Sequence, residues 1–286
     1  MTPNTQSVPS PQLLKPILKP HKMLPPTVFW RIGETIPKRL TWMLFTLSIV
    51  VPLLMWTILS NSGLVQPLFL PSPAKVWAAG QSLWVSGDLL KDTGYSLFRV
   101  SIGFLMAAII AIPVGVLMGS FASIRALLEP IMGVVRYMPA PAFIPLLILY
   151  FGIGEPSKIF LIFIGTLFFN TLMVMDAIKF VPKELLETTY TLGGRRSQVL
   201  FQVIFPYVTP NIIDACRVNL AAAWQLVIVA ELIAATEGLG RRISVAGRFL
   251  KTDEIFVGLI VIGLIGLAID LVFRWILRST CQWAEK

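Results

Sequence analysis

A series of long apolar segments restricts the fold of this chain more than any other feature. Six such segments can be drawn, near residues 41–60, 97–119, 127–151, 158–178, 207–236 and 255–277. Each has roughly the 20 residues that an α-helix needs to cross the hydrocarbon core of a bilayer. In that layer the backbone must satisfy its own hydrogen bonds, which a helix does within one segment. We therefore predict an all-α polytopic membrane protein with about six transmembrane helices.

The composition supports this class and argues against several others. With 56% hydrophobic residues and a mean hydropathy of +0.77, the chain is too apolar for an ordinary soluble domain. The net charge of +9 comes from basic residues scattered among apolar runs, which suits loops at an anionic membrane surface and does not suggest nucleic-acid binding. Cys216 and Cys281 show no disulfide or metal-site spacing. The single histidine, His21, leaves the apolar body without a histidine for a metal site or a catalytic triad.

The ends of the chain differ from the apolar body. Residues 1–40 contain a Pro-rich tail that cannot bury a core, followed at Phe29–Leu40 by a segment with the spacing of an interfacial helix. We predict that this region and residues 279–286 are cytoplasmic tails that flank a permease domain at 41–278.

The distribution of Lys and Arg predicts the orientation. With a cytoplasmic N-terminus, fourteen of these residues fall on the inner side and seven on the outer side. Because inner loops carry the excess of positive charge, we predict that both termini are cytoplasmic.

A polar stretch from Val181 to Pro206 lies between the fourth and fifth apolar segments, on the predicted cytoplasmic side. Spacings of three and four between Glu184 and Leu192 predict a short amphipathic helix. Gly193-Gly194 would end that helix, because glycine tolerates a positive φ. A second short helix is predicted over Val199–Pro206. Two short helices of this kind would form a compact knob that a partner protein can grip.

Polar side chains recur along the fifth apolar segment. Asp214, Arg217, Trp224 and Glu231 follow one another at helical spacing on one face, and Gln225 lies beside them. Ionisable groups inside a membrane are costly and usually face a polar cavity or each other. This face is therefore a candidate substrate pathway. The alternative is that Asp214 and Arg217 neutralise each other and that Trp224 packs against a neighbouring helix.

The third and fourth segments contribute further pathway candidates. Three prolines between residues 139 and 145 break the third segment, which is tolerable where protein or a polar cavity satisfies the freed carbonyls. Arg136 lies one turn before them and could face an anion or be tied to a carboxylate. Asn170 could donate to an oxyanion or bridge two helices. We expect Arg136 or Arg217 to border the passage, Arg136 being favoured, and Arg99 to lie near a helix end and extend to the interface.

The stretch at 181–206 resembles the E-A-A-x3-G-x9-I-x-L-P loop of ATP-binding-cassette importer permeases. Glu187, Gly193 and Pro206 stand at its Glu, Gly and Pro positions with intact spacing. The remaining positions of the motif carry other residues: Thr188, Thr189, Val203 and Phe205. By this resemblance, Glu187, Leu192, Gly193 and Pro206 are the candidate residues for coupling to an ATPase.

Four further stretches are similar to permeases of the nitrate, sulfonate and taurine group, to which cyanobacterial bicarbonate permeases also belong. They are Leu70–Val76, Ser96–Phe104, Arg136–Leu146 and Ala222–Glu231, and the similarity extends over about residues 65–275. One departure is Tyr137-Met138, where relatives often have Pro and a β-branched residue. The substrate pathway is therefore expected to differ there.

The resemblance implies a type I importer-like permease subunit of a bacterial inner membrane. It further implies a second permease copy, two ATPase subunits and an extracytoplasmic substrate-binding protein. The sequence has no G-x-x-x-x-G-K-[ST] loop, so ATP and Mg²⁺ would be bound by the ATPase subunits, and this chain is expected to be no enzyme and to bind no cofactor.

The expected substrate is a small oxyanion, with nitrate or nitrite first, bicarbonate second and a sulfonate or taurine third. The less favoured class is an ion-gradient-driven carrier, which would not need the intact cytoplasmic motif. A membrane-embedded enzyme would need a nucleophile–base or metal-ligand constellation, which the sequence lacks.

Overall fold

The computed structural model describes residues 36–284, and all regular structure within that range is helical. Eleven α-helices follow in chain order: α1 Lys38–Asn61, α2 Pro73–Val85, α3 Asp88–Ser120, α4 Ala122–Val135, α5 Ile144–Phe151, α6 Glu155–Ile178, α7 Lys183–Thr191, α8 Arg196–Gln198, α9 Phe205–Ala234, α10 Leu239–Arg248 and α11 Thr252–Thr280. Short 3₁₀ helices lie at Ala140–Phe143 and Gln282–Ala284, and a π-helix lies at Val199–Ile204. The tail and most of the predicted interfacial helix lie outside the described residues.

The chain divides into two compact units, residues 1–56 and 57–286. In the first unit the described residues form most of α1, a helix long and apolar enough to cross a membrane. All the interfaces and sites below lie in the second unit.

Five described helical segments are long and apolar enough to span a bilayer, or six when one bent pair is counted as a span. These numbers confirm the predicted all-α membrane fold. The third predicted span, 127–151, is instead two helical segments, Ala122–Val135 and Ala140–Phe151, which meet at 83°. Pro139 has no N–H to donate, and a proline ring clashes with the carbonyl four residues earlier in a helix. This explains the break before Ala140.

The most extensive interface joins α3 and α6. Three glycines of α3 each lie so close to a branched residue of α6 that an added Cβ would fall 2.7–2.8 Å from the partner's Cβ: Gly103 against Ile162, Gly115 against Val174 and Gly119 against Ile178. The residue numbers differ by the same amount in all three pairs, so the two helices run parallel in one register. Small residues permit this close approach, and van der Waals packing then stabilises the pair within a membrane.

The connections and contacts of α9 define two ends of the helix bundle. α9 packs against α6, with Leu226 beside Gly165 and the Asn219 amide 3.0 Å from the sulfur of Met173. These pairs run in opposite directions along the chain, so α9 is antiparallel to α6. One end of the bundle, which we call the α10 end, therefore contains α10, the first turns of α3 and α6, and the last turn of α9. The segment Lys183–Gln198 lies at the other, the α7 end.

Candidate transport and coupling sites

The first helix of the predicted knob is present at the α7 end. α7 ends at Thr191, and Gly193 follows with φ +81°, which confirms that glycine ends this helix in the left-handed conformation. Leu192 is 83% exposed, and Glu187 and Pro206 are exposed as well. The four proposed coupling residues are thus accessible, with Glu187 in α7, Leu192 and Gly193 in the turn after it, and Pro206 at the start of α9.

The second helix of the predicted knob differs from its prediction. Instead of a separate second helix, Val199–Ile204 forms a π-helix that continues into α9 at Phe205. Pro206 at the start of α9 and Pro210 within it each lack a backbone donor. The coupling loop therefore joins α9 through a continuous helical segment of irregular hydrogen bonding.

On α9, two of the predicted pathway residues are bound to α11. Arg217 lies between two carboxylates, with Nη2 2.7 Å from Asp214 and Nη1 3.0 Å from Asp270 of α11. The Trp224 indole donates to the carbonyl of Ile262 at 3.1 Å, and its side chain is buried. The Arg217–Asp214 pair and the packed Trp224 are what the packing alternative predicted, whereas the contact with Asp270 is additional. Gln225, one residue later, is exposed.

Arg136 lies in a different environment, at the break between α4 and the 3₁₀ helix. Its side chain is exposed, and its guanidinium donates to the Tyr137 hydroxyl at 2.9 Å and lies 4.9 Å from that ring. Among the described residues no carboxylate lies within ion-pair distance of it. Arg136 lines a small cavity of about 30 Å³ together with apolar side chains of α6, including Phe168 and Phe169. The arginine therefore keeps donors that a bound anion can use.

Asn170 faces α3. The common register of the α3–α6 pairs puts it opposite Ala111, and both residues are fully buried. Neither the amide nitrogen nor the amide oxygen of Asn170 has a hydrogen-bond partner in the described part of the chain. By contrast, Thr166 one turn earlier donates to the carbonyl of Ile162 in its own helix at 2.8 Å. Asn170 therefore lies in the α3–α6 interface, but in the described part of the chain its amide forms no hydrogen bond that links the two helices.

Arg99 is the largest fully buried side chain in the described residues, and the expectation that it extends to the interface from a helix end is wrong. The physical reason is that α3 begins at Asp88, well before the predicted start at residue 97. The Arg99 guanidinium binds Glu231 of α9 at 2.6 Å and the two carboxylate oxygens of Glu155 of α6 at 2.6 and 2.7 Å. It also donates to the carbonyl of Glu237 at 2.7 Å. One side chain thus joins three helical segments and a loop.

The start of α10 closes the same site. Three consecutive backbone N–H groups donate to side chains of α3 and α9: Gly238 to Asp92 at 2.8 Å, Leu239 to Ser96 at 3.0 Å and Gly240 to Glu231 at 2.8 Å. Gly238 has φ +124°, and a Cβ there would overlap the Glu231 carboxylate. A Cβ at Gly240 would lie 2.7 Å from the carbonyl of Ile228. Glycine is needed at both positions for the backbone to approach this closely.

The charges at the site balance. We call the site the Arg99 cluster and define it by three cations and three carboxylates: Arg99, Lys158, Arg242, Asp92, Glu155 and Glu231. Ser96 adds a hydroxyl that donates to Glu231 at 2.7 Å. Beside the cluster, Glu237 has a pKa below its usual range, because the Lys91 ammonium 2.6 Å away and the Tyr95 hydroxyl bind its ionised form. Two of its six members, Arg99 and Glu231, lie within Ser96–Phe104 and Ala222–Glu231, two stretches that carried the family resemblance.

These features define the membrane-embedded subunit of a transporter: spanning helices, a broken span beside a cavity, and an exposed helical loop at one end. Residues 111–280 match the family described as "Binding-protein-dependent transport system inner membrane component", and the chain belongs to this family.

This chain covers most of the length of several named relatives. The taurine transport system permease protein TauC of Escherichia coli (strain K12) is 34% identical, over 82% of this chain and 88% of the relative. The putative aliphatic sulfonates transport permease protein SsuC of Bacillus subtilis (strain 168) is 32% identical over 86% and 89%. The nitrate import permease protein NrtB of Synechocystis sp. (strain ATCC 27184 / PCC 6803 / Kazusa) is 30% identical over 78% and 83%.

A solved structure shares the fold. A chain of the MetNI methionine ABC transporter in an inward-facing conformation superposes with a TM-score of 0.59 at 20% identity, covering 73% of this chain and 99% of that one. The chain is thus the permease subunit of an ATP-binding-cassette importer with the type I fold, an integral inner-membrane protein. Permeases of this family work as dimers with ATPase and substrate-binding partners.

Proposed function

We propose that this permease passes a small oxyanion across the inner membrane. The observation that carries the proposal is that relatives similar over most of their length are named for taurine, aliphatic sulfonates and nitrate. All three substrates present oxygen atoms that share a negative charge. From the sequence, nitrate or nitrite is the first candidate and bicarbonate the second. The identities, 34% for the taurine relative and 30% for the nitrate relative, support the small-oxyanion class without favouring nitrate. Sulfonates are therefore tested alongside nitrate and bicarbonate.

Arg136 supports an anionic substrate and is the proposed anion contact. It is the candidate arginine with no carboxylate partner in the described residues, and it borders the cavity at the broken span. Arg217, between Asp214 and Asp270, has its charge neutralised by protein groups. An oxyanion that loses hydration in a narrow passage gains charge-assisted hydrogen bonds from such a guanidinium. Gln225 is retained as a second candidate, because it too is exposed.

The assembly that we propose has two copies of this chain, two ATPase subunits that bind ATP and Mg²⁺, and an extracytoplasmic binding protein. The α7 end faces the cytoplasm with both termini, so that Glu187, Leu192, Gly193 and Pro206 contact the ATPases. The exposure of this loop supports the assignment, as does the excess of positive charge predicted for the same side. The chain itself performs no hydrolysis.

The test is ATP-driven uptake by the complete complex in proteoliposomes supplied with its binding protein. Nitrate, bicarbonate, taurine and ethanesulfonate would be offered separately, with methionine, a larger α-amino acid, as a control outside the class of small oxyanions. We expect saturable uptake of at least one small oxyanion, dependent on ATP and on the binding protein. Uptake of methionine alone would refute the oxyanion proposal, and uptake that follows an ion gradient without ATP would favour the carrier alternative.

A further inference from the structure

The helix α6 has one open strip along most of its length. Of the residues from Ser157 to Ile178, only Phe169 and Asp176 are exposed, and they lie on the same face because they are seven residues apart. Met173 lies between them on this face and is partly buried. Elsewhere α6 packs against α3, α5 and α9. Within the described part of the chain, this strip is therefore the side from which a solute can reach the middle of α6.

The neighbouring helix α9 has an exposed face of its own. Because α9 is antiparallel to α6, with Leu226 beside Gly165 and Asn219 beside Met173, Phe169 lies level with Ala222. The exposed residues of α9 from Asn211 to Gln225 follow one another at spacings of three and four, so they share one face. We call the open surface of the two helices the α6–α9 groove and define it by six residues: Phe169, Met173, Asp176, Asp214, Val218 and Ala222.

Two cavities meet this groove, one on each side of Phe169 along α6. Towards the α10 end, Phe169 itself lines the cavity of about 30 Å³ at Arg136. Towards the α7 end, a cavity of about 600 Å³ is lined by Met173 and Asp176 of α6 and by Asp214 of α9. We call it the α7-end cavity. Phe169 and Met173 are four residues apart, so about 6 Å of helix separates the two cavities.

The groove changes polarity twice along its length. Arg136 provides a charge at the first cavity, and Asp176 and Asp214, with exposed carboxylates, provide charges at the α7-end cavity. Ionisable groups within membrane spans avoid lipid, so both cavities are expected to contain water. The zone between them is formed by side chains without an N–H, an O–H or an oxygen: Phe169, Met173, Val218 and Ala222. A short apolar zone between two polar regions can close a pore by excluding water.

We propose that Phe169 is the hydrophobic gate of the passage and that Met173 completes the gate one turn further on. The Phe169 side chain is available for this role because it lines the Arg136 cavity and is 47% exposed. In the resting complex the apolar zone excludes water, so a hydrated anion at Arg136 does not reach the α7-end cavity. The inference rests on the proposed function in one respect, namely that the passage runs beside Arg136.

Passive entry of iodide into proteoliposomes tests the gate. The vesicles would hold the complete complex and the trapped dye lucigenin, which iodide quenches, without ATP and without the binding protein. Potassium iodide is added outside, and valinomycin balances the charge that iodide carries inwards. We expect the parental complex to be as tight as protein-free vesicles. Phe169→Ala should raise the initial rate of quenching at least about tenfold, because it removes the ring that excludes water.

Phe160→Ala is the matched control for the loss of an aromatic ring. Phe160 lies on the same helix, but its ring stacks on Phe151 of α5 with centroids 4.5 Å apart, outside the groove. We expect this variant to stay as tight as the parent. Phe169→Leu keeps a bulky apolar side chain and should leak much less than Phe169→Ala. Met173→Ala should leak as well, and it replaces Phe169→Ala in the test if size-exclusion chromatography shows that Phe169→Ala does not assemble.

An assembled Phe169→Ala complex that stays tight would overturn the inference and assign this ring to a contact with lipid or with a second copy. The same conclusion would follow from a tight Met173→Ala complex where Phe169→Ala does not assemble. Equal leakage through Phe160→Ala would also overturn it, because the bundle would then have loosened as a whole.

Iodide entry needs no ATP and no carried substrate, so the two proposals can fail separately. Leakage through Phe169→Ala, together with no uptake of any oxyanion by the parental complex, would support the gate and refute the oxyanion proposal. Oxyanion uptake by the parental complex, together with tight Phe169→Ala vesicles, would refute the gate alone.

Discussion

Arg99 and Glu231 are separated by 132 residues in the chain, yet their charged groups lie 2.6 Å apart and neither side chain reaches solvent. Removing one member of such a pair leaves the other charge buried and unpaired, which costs about 3–5 kcal/mol. Replacing Arg99 by Leu also removes two hydrogen bonds to Glu155, which keeps only its ion pair with Lys158 at 3.0 Å. We therefore expect Arg99→Leu to lower the apparent melting temperature of the purified complex strongly or to abolish its assembly.

A matched control for this prediction is Arg125→Leu. Arg125 donates to the carbonyls of Met118 and Gly119 at 3.1 and 3.0 Å, so its loss leaves no charge behind. We expect a much smaller loss of stability. If both variants lost the same stability, the cluster would be no more important than a helix-end contact.

A series of glycine substitutions separates steric overlap from backbone strain. Gly238→Ala adds both, Gly87→Ala adds strain at φ +78° without a near neighbour, and Gly133→Ala adds neither. Within helix α4, the Gly133 substitution should be neutral or stabilise by about 0.5–1 kcal/mol. We expect melting temperatures to fall in the order Gly133, Gly87, Gly238. A Gly238→Ala variant as stable as Gly87→Ala would contradict the close fit of α10 against Glu231.

Replacing Asn170 by an apolar residue is expected to raise the stability of the protein. Its buried amide has no partner in the described residues, and a buried polar group left unsatisfied costs about 1–3 kcal/mol. Asn170→Leu, which keeps the branched skeleton of the side chain and removes both polar atoms, should therefore raise the melting temperature. Thr166→Val is the control, because it removes a hydroxyl already bonded to its own helix and should change stability little. Destabilisation by Asn170→Leu would show that the amide is satisfied in the assembled protein.

The coupling assignment is tested at two glycines with similar backbone angles. Gly193→Val strains the loop after α7 at φ +81°, and Gly152→Val strains the loop between α5 and α6 at φ +73°. We expect the first to lower uptake and substrate-stimulated ATP hydrolysis by more than about tenfold while the chain still inserts. The second should keep the ratio of uptake to ATP hydrolysed. Glu187→Lys should behave like Gly193→Val, because it reverses a charge that is exposed on the same loop. Normal coupling in both α7-end variants would disprove the assignment.

Features that depend on neighbouring residues could be predicted from the sequence. The length and apolarity of the segments predicted the membrane helices, and Gly193 predicted the end of α7 because its left-handed φ is a local property. The Arg99 cluster could not be predicted in this way. The first turns of α3 carry Asp92 and Ser96, so they lack the apolar character of a span, and the sequence predicts a start at residue 97 instead of Asp88.

The partners of Arg99 also lie in other helices, 56 and 132 residues away. No local spacing connects such residues. The same limit applied on α9, where the helical face from Asp214 to Glu231 was recognised but its contacts were not. Arg217 and Trp224 bind groups of α11, whereas Glu231 binds α3, and only the tertiary structure distinguishes these environments.

We propose that a small oxyanion passes the break in the third span beside Arg136, and the initial rate of ATP-driven uptake in proteoliposomes measures this passage. Loss of charge-assisted hydrogen bonds of about 1.5–3 kcal/mol predicts that Arg136→Gln slows uptake about tenfold or more, with assembly and basal ATP hydrolysis unchanged. Arg136→Lys should retain an intermediate rate, because it keeps the charge without the fork. Parental rates of uptake in Arg136→Gln would contradict the claim and assign recognition of the anion to amides, hydroxyls and helix ends instead.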